Sequence, residues 1–267
     1  MDREGLFATT ELPTGVTIKS PRELEFMRQA GRVVGQTVST LIKLIQPGMR
    51  TRELDDAARQ EIQRLGAKPA FLGYRGFPAT ICTSLNEEIV HGIPGERVIR
   101  QGDLVKLDVG AIVGRFYADS AVTVAVGEVS LDGQHLLEAT RTALELGIRA
   151  AREGARVGDI GAAVQAFAEG QGYGVVREYV GHGIGRALHE DPQVPNYGPA
   201  GRGLLLRRGM AIAIEPMLNR GTWRTRQLED GWTVVTADGA LSAHFEHTIV
   251  IMEGESEVLT RRSEEGN

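Results

Sequence analysis

A chain of 267 residues, 42% hydrophobic and 24% charged, is composed like a soluble globular protein able to bury one large core or two closely packed halves. Its net charge of −5 argues against broad binding to a phosphate backbone, and a single cysteine, Cys82, excludes an internal disulfide and suits a reducing compartment. No apolar run reaches the roughly 18 residues of a membrane span, and the polar start lacks an apolar signal core, so the expectation is a cytoplasmic, soluble protein that binds no membrane and no specific nucleic acid.

Residues 1–17 show no hydrophobic period and are expected to form a tail. Ser20-Pro21-Arg22-Glu23 then opens a helix, because serine can cap, proline suits the first helical position and glutamate completes a capping box. Leu24, Met27, Val34, Val38, Leu41 and Ile45 keep helical spacing until Pro47-Gly48 breaks it. Thr51 is placed to cap a second helix running to about Leu65. The same plan recurs downstream. Asp132 can cap a third helix, rich in Leu and Ala, that ends before Gly154, and a fourth runs to about Gln171. Gly48, Leu54, Ala57 and Gly66 map onto Gly154, Ile160, Ala163 and Gly172 at one constant offset.

The strands repeat as well. Gly102-Asp-Leu-Val-Lys-Leu-Asp108 aligns with Gly209-Met-Ala-Ile-Ala-Ile-Glu215, and the run from Asp119 to Gly127 aligns with the run from Glu246 to Gly254. Each half reads helix–helix–strands and carries two acids at matching places. This predicts an α+β domain over 18–254, with pseudo-symmetric halves at about 20–127 and 132–254 and a C-terminal tail over 255–267. Equivalent strands meeting at the axis would bring four carboxylates together.

Each acid lies beside or within an apolar strand-like run. Burying an ionised carboxylate costs several kcal/mol, by order of magnitude, unless donors or a cation compensate. A lone acid at a strand end is usually solvated or paired with Arg or Lys. Four acids in two matching pairs favour divalent metal. The histidine comes from Gly181-His182-Gly183-Ile184-Gly185, where flanking glycines are expected to let the backbone turn sharply and leave the imidazole approachable, with His189 close behind. Oxygen ligands with one imidazole favour Mn²⁺, Fe²⁺ or Co²⁺ over a thiolate-rich zinc site. Two ions bridged by carboxylates, about 3.5–4 Å apart, suit amide hydrolysis.

These residues closely resemble the type I methionine aminopeptidases of the pita-bread metallopeptidase fold. The resemblance runs from about Ile18 to Glu253. It is carried by the stretch from Tyr179 to Tyr197, by Asn86-Glu-Glu-Ile-Val-His91-Gly-Ile-Pro, and by Lys106-Leu-Asp108-Val-Gly, Ile214-Glu215-Pro216-Met217 and Phe245-Glu246-His247-Thr248. It implies a curved, mostly antiparallel sheet covered by helices. It implies two divalent ions (Co²⁺, Mn²⁺, Fe²⁺ or Zn²⁺) bridged by Asp119 and Glu246, with Asp108 completing one shell and His182 and Glu215 the other. By the same resemblance His91 and His189 bind substrate and stabilise the tetrahedral intermediate, and Glu215 helps with proton transfer. The methionine pocket maps onto Tyr74, Phe77, Cys82 and Trp232, with His91 at its edge. A snug apolar pocket accepts an unbranched thioether and excludes bulkier side chains. The implied reaction removes initiator methionine from nascent peptides, with a small second residue preferred. The implied setting is a cytoplasmic monomer with transient ribosome association.

Taken without the resemblance, Trp232, Cys82, Tyr74 and Phe77 read as ordinary core or loop residues, and His91 as a loop histidine. Leu188 and Phe71 stand where relatives often carry Phe and Cys, Arg75 where some have His, and His244 where some have Gln. Three other readings share the fold: an Xaa-Pro peptidase, which usually carries an additional amino-terminal domain; a non-catalytic ribosome- or RNA-binding homologue, which would lack the ligand set; and a metal-free hydrolase, which would have no use for so many acids around His182.

Overall fold

Helix α1 spans Pro21–Leu44 in the computed structural model, which describes residues 10–12 and 15–265. The predicted capping box forms: Glu23 N–H donates to Ser20 Oγ at 3.4 Å, and Ser20 N–H donates to Glu23 Oε2 at 2.8 Å. The helix stops short of Pro47, with Ile45 already extended. Its fully buried stripe is Met27, Val34, Val38 and Leu41. Helices α2 (Thr51–Arg64), α3 (Leu131–Ala150) and α4 (Val157–Gly170) complete the set.

Two of the caps differ from expectation. Thr51 is the first helical residue of α2 and not its cap; its hydroxyl is held by the Gly95 backbone, accepting that N–H at 2.8 Å. Ser130, not Asp132, caps α3, accepting from Gly133 N–H at 3.1 Å. Asp132 instead lies in the first turn, where a negative charge suits the helix dipole.

The internal repeat is visible in the hydrogen bonds. Glu53 Oε2 accepts from Arg50 N–H at 2.6 Å at the start of α2, and Asp159 Oδ2 accepts from Arg156 N–H at 2.7 Å at the start of α4. Gly48 N–H donates to Ile99 O at 2.8 Å, and its counterpart Gly154 N–H to Leu206 O at 3.0 Å. Each helix pair is thus tied by the same loop geometry to an extended segment of its own half, where Arg50 bridges Val98 and Arg156 bridges Leu205.

All strand pairings are antiparallel among the described residues. In the first half, Leu104–Val113 and Phe116–Ala125 form a long hairpin, with Ile81–Leu85 on the other side of Leu104–Val113. In the second half, Ala211–Ile214 pairs with His247–Val250, and Gly181–Gly183 with Ala211–Ile214. The halves meet where Phe116–Ala125 runs beside His247–Val250. There Glu246 N–H donates to Ala121 O at 2.9 Å and Ser120 Oγ donates to Glu246 O at 2.5 Å. Strand alternation then divides the labour. Val105, Leu107, Val109 and Ala111 join a continuous core with Leu41, Leu54, Ile62, Ile160, Ile212 and Ile249, each large side chain worth about 1.5–3 kcal/mol on burial. Asp108 and Gly110 take the other face.

Of the N-terminal tail expected over 1–17, residues 1–9 and 13–14 lie outside the described residues, while Thr10–Glu11 pairs with Thr17–Ile18. The segment expected as a C-terminal tail is packed over its described part. Glu257–Val258 pairs with Ile249–Val250, and Leu259, Thr260 and Arg262 are buried. Gly31 lets α1 approach closely, since a Cβ there would collide with the Leu259 carbonyl.

Candidate active site

Eleven residues singled out in the sequence line one cavity of about 170 Å³: Asp108, Asp119, His182, Glu215, Glu246, His91, His189, Tyr74, Phe77, Cys82 and Trp232, joined by Phe71, Arg75 and Leu188. Asp108 and Asp119 come from the long hairpin. Its register places Asp119 opposite Gly110 and Asp108 opposite Ala121, so the two acids sit diagonally on the same face. Glu215 and Glu246 lie just beyond the paired residues Ile214 and His247 of the other half. Because the halves join along Phe116–Ala125, both pairs converge at that seam.

His182 sits in the middle of a strand, Gly181–Gly183, and not in a sharp turn. The flanking glycines serve close packing: a Cβ on Gly181 would collide with Ala213 O, and one on Gly183 with Asp191 O. The imidazole is oriented by its Nδ1, which lies 2.9 Å from Gly183 O and therefore carries the proton. Nε2 is left facing carboxylates, 3.5 Å from Asp119 Oδ2 and 3.6 Å from Glu215 Oε1. A backbone acceptor that fixes the tautomer of a ligating histidine is a common feature of metal sites.

Electrostatics show what this cluster is built to accept. Burial, then repulsion from Asp119 and Glu215, raises the Asp108 carboxyl well above its usual range, and burial with repulsion from Asp119, Glu215 and Asp108 does the same to Glu246. Burial lifts Glu215 to about 8, against the attraction of His182. Burial alone would lower His182, but Asp119 and Glu215 outweigh it and raise it to about 9. Asp108 Oδ1 is buried with no hydrogen-bond partner. A divalent cation resolves all of this, because it favours ionised carboxylates and neutral imidazole. Asp119, His182 and Glu246 offer ligand atoms within 4.8 Å of one another, all three buried. They form a group able to hold a metal ion, and the donor chemistry of the five side chains fits such an ion.

The apolar wall is built by a 3₁₀ turn, Tyr74–Gly76, held between Gly73 (φ +81°) and Gly76 (φ +89°). Those left-handed positions suit glycine and set Tyr74 and Phe77 into the cavity. Phe77 meets Trp232 edge to face, ring centres 5.1 Å apart. Buried Cys82 and Leu188 complete the wall. The Cys82 thiol is pushed well above its usual range by burial and by Asp108, so it is a neutral, compact wall group.

Two further histidines flank the cluster. His91 adopts φ +61° and packs edge-on against Tyr179 and Trp232; burial lowers it to about 4. His189 stands at the solvent-facing mouth, its Nδ1 2.8 Å from the Tyr74 hydroxyl and its ring 4.2 Å from that of His182. Desolvation by the cavity wall and the proximity of His182 lower it to about 4. Both rings are neutral at pH 7.

Sequence reading missed Thr248 and Asn196. Thr248 Oγ1 lies 2.9 Å from Asp119 Oδ1, and Asn196 Nδ2 donates to Glu215 O at 3.0 Å. For Thr248 the signal was present, since it follows Glu246 by one strand period within the same motif.

Comparison with known proteins identifies the family. Residues 25–253 match the model of metallopeptidase family M24. The chain is 50% identical over 246 residues to methionine aminopeptidase 1 of Bacillus subtilis, covering 92% of this chain and 99% of the relative. It is 48% identical to the methionine aminopeptidase of Clostridium acetobutylicum, covering 92% and 98%. The crystal structure of methionine aminopeptidase from Thermotoga maritima superposes with a TM-score of 0.91 at 46% identity, covering 92% of this chain and all of that one. Prolidase from Pyrococcus furiosus shares the fold, with a TM-score of 0.75 at 24% identity, covering 92% of this chain and 66% of that one.

Proposed function

The chain belongs to metallopeptidase family M24, and from that premise we propose that it removes the initiator methionine of nascent polypeptides, with two divalent ions held by Asp108, Asp119, His182, Glu215 and Glu246. The observation that carries this reading is the single cavity in which those five side chains, two neutral histidines and an apolar wall face one another. Asp119 and Glu246, at the seam between the halves, would hold the ions together with Asp108, His182 and Glu215. Bound ions would supply Lewis acidity toward the scissile carbonyl and a nucleophile at neutral pH.

The chain's own groups supply the rest. Phe77, Trp232, Cys82, Leu188 and Phe71 enclose the unbranched methionine side chain and exclude water. His189, positioned by Tyr74, faces the cluster from the mouth, where a neutral imidazole N–H donates to the developing oxyanion. His91, at the far rim beside Trp232, holds the peptide near the scissile nitrogen. Glu215, within the cluster, helps move the proton toward the leaving amine. In this reading a small second residue is preferred. No described helix is long and apolar enough to cross a membrane, and the proposed setting is a cytoplasmic monomer acting on peptides as they leave the ribosome.

The test is cleavage of Met-Ala-Ser by apo-protein to which Mn²⁺, Fe²⁺ or Co²⁺ is added back, beside an Xaa-Pro dipeptide. Metal-dependent release of methionine with little Xaa-Pro cleavage is expected. Preferred Xaa-Pro cleavage, or methionine release that survives thorough chelation, would refute the proposal.

A further inference from the structure

His244 is buried, 2% exposed, and neither of its ring nitrogens has a hydrogen-bond partner. Its backbone is locked in place. The N–H donates to Thr123 Oγ1 at 2.9 Å, the Thr123 hydroxyl donates back to His244 O at 2.8 Å, and Met217 pairs with it across the strand Ser242–His244. A buried polar group left unmatched costs about 1–3 kcal/mol, so a buried ring without a partner on so fixed a backbone points to a task.

The geometry identifies the task. His244 Nε2 lies 3.8 Å from Glu215 Oε2, while the other oxygen, Oε1, lies 3.6 Å from His182 Nε2. The Glu215 carboxylate is therefore divided between two imidazoles, one oxygen toward the metal cluster and one toward His244. The other cation nearby, Lys106, spends its ammonium on Asn86 O at 2.6 Å and does not compete. A separation of 3.8 Å exceeds the usual hydrogen-bond range of about 2.7–3.2 Å, and contacts of this kind commonly tighten only when a site is assembled. We propose that His244 is the positioning residue of Glu215: its Nε2–H donates to Oε2 and thereby turns Oε1 into the cluster. The inference rests on the metal-site reading above and adds to it a sixth side chain that touches neither ion nor substrate.

Calorimetric titration of metal-free protein with Mn²⁺ tests it, in wild type, His244→Leu and His244→Gln. Leucine fills the space without a donor, whereas glutamine restores an N–H. The leucine variant should bind Mn²⁺ about 10–100-fold more weakly, as for loss of an outer-shell partner, and glutamine should recover most of that loss. The thermal midpoint of the metal-free leucine protein should not fall, since two unmatched nitrogens leave the interior. Nitrogen-15 NMR of the wild-type, Zn²⁺-loaded protein should show His244 as the Nε2–H tautomer. Wild-type affinity in the leucine variant, or an Nδ1–H tautomer, would overturn the inference while leaving the metal site intact. A wild-type protein that fails to bind Mn²⁺ would overturn the metal reading and this inference together.

Discussion

The Thr248 hydroxyl holds Asp119 from across the seam between the halves: it accepts the Asp119 N–H at 3.0 Å and donates toward the Asp119 carbonyl (2.8 Å) and Oδ1 (2.9 Å). Both residues are buried, so the hydroxyl both satisfies the backbone and fixes the carboxylate rotamer. Thr248→Val keeps the shape and deletes these bonds. It should lower stability by about 1–3 kcal/mol and Mn²⁺ affinity by about 10-fold or more. Thermal melts of the metal-free protein and calorimetric titration measure the two effects separately. An unchanged affinity would show that Asp119 needs no such support.

The acidic cluster is expected to cost stability when no cation is bound. Burial and repulsion from three neighbouring acids push the Glu246 carboxyl well above its usual range, a cost present in the folded state alone. Glu246→Gln removes that repulsion without changing volume. In EDTA the variant should melt higher than wild type, each kcal/mol of relief being worth about 2–4 °C for a chain of this size. With Mn²⁺ the order should reverse, because wild type gains binding energy that the amide cannot supply. Activity should be lost. A variant that melts lower than wild type in EDTA would contradict the electrostatic account.

The same shifts fix the sign of the pH dependence of metal binding. Glu215 near 8 and His182 near 9 each hold a proton at pH 7, and both must release it to become ligands. Mn²⁺ affinity should therefore rise from pH 6 toward pH 9, with protons released on binding. Release should shrink as the pH passes 9, when these groups have already lost theirs. Calorimetry in two buffers of different ionisation enthalpy counts the protons. Binding at pH 7 without proton release would mean that the carboxylates are already ionised.

Much of this site was legible in the chain because its signals are periodic or chemical. Ser20 and Glu23 announce α1, and paired acids after matching glycines announce the seam. What the sequence concealed depends on contacts between distant segments. Thr51 carries a capping residue's chemistry but is claimed by Gly95, and Asp132 loses the cap to Ser130, two residues upstream. Gly181 and Gly183 look like a turn, yet they are strand residues whose missing Cβ atoms admit Ala213 and Asp191. Leu259 and Thr260 follow a Glu-rich stretch and read as a tail, although Gly31 and Gly35 on α1 leave room for them. Apart from the Ser130 cap, which is a choice between neighbouring residues, the deciding partner lies far away along the chain, where local pattern carries no information.

The turn that carries His189 is pinned from outside the cavity, and that connection yields the last prediction. Lys19 Nζ donates to Glu190 Oε2 at 2.7 Å and also to Thr17 Oγ1, while Glu190 Oε1 accepts from Arg186 N–H at 2.6 Å and Ala187 N–H at 3.1 Å. A Cβ on Gly185 would strike the end of the Lys19 side chain, so the turn lies directly on this lysine. Burial lowers the Lys19 pKa, with Glu190 only partly restoring it; Glu190 in turn is held low by Lys19 against its own burial. Lys19→Met strands a mostly buried carboxylate and should cost about 3–5 kcal/mol. The double variant Lys19→Met/Glu190→Gln, with no charge left behind, should regain part of that stability. Turnover of Met-Ala-Ser should stay low in both, because His189 has lost its anchored neighbour, while Mn²⁺ affinity holds because Lys19 touches no ligand. If the double variant turned over like wild type, the ion pair would be a fold brace with no part in placing His189.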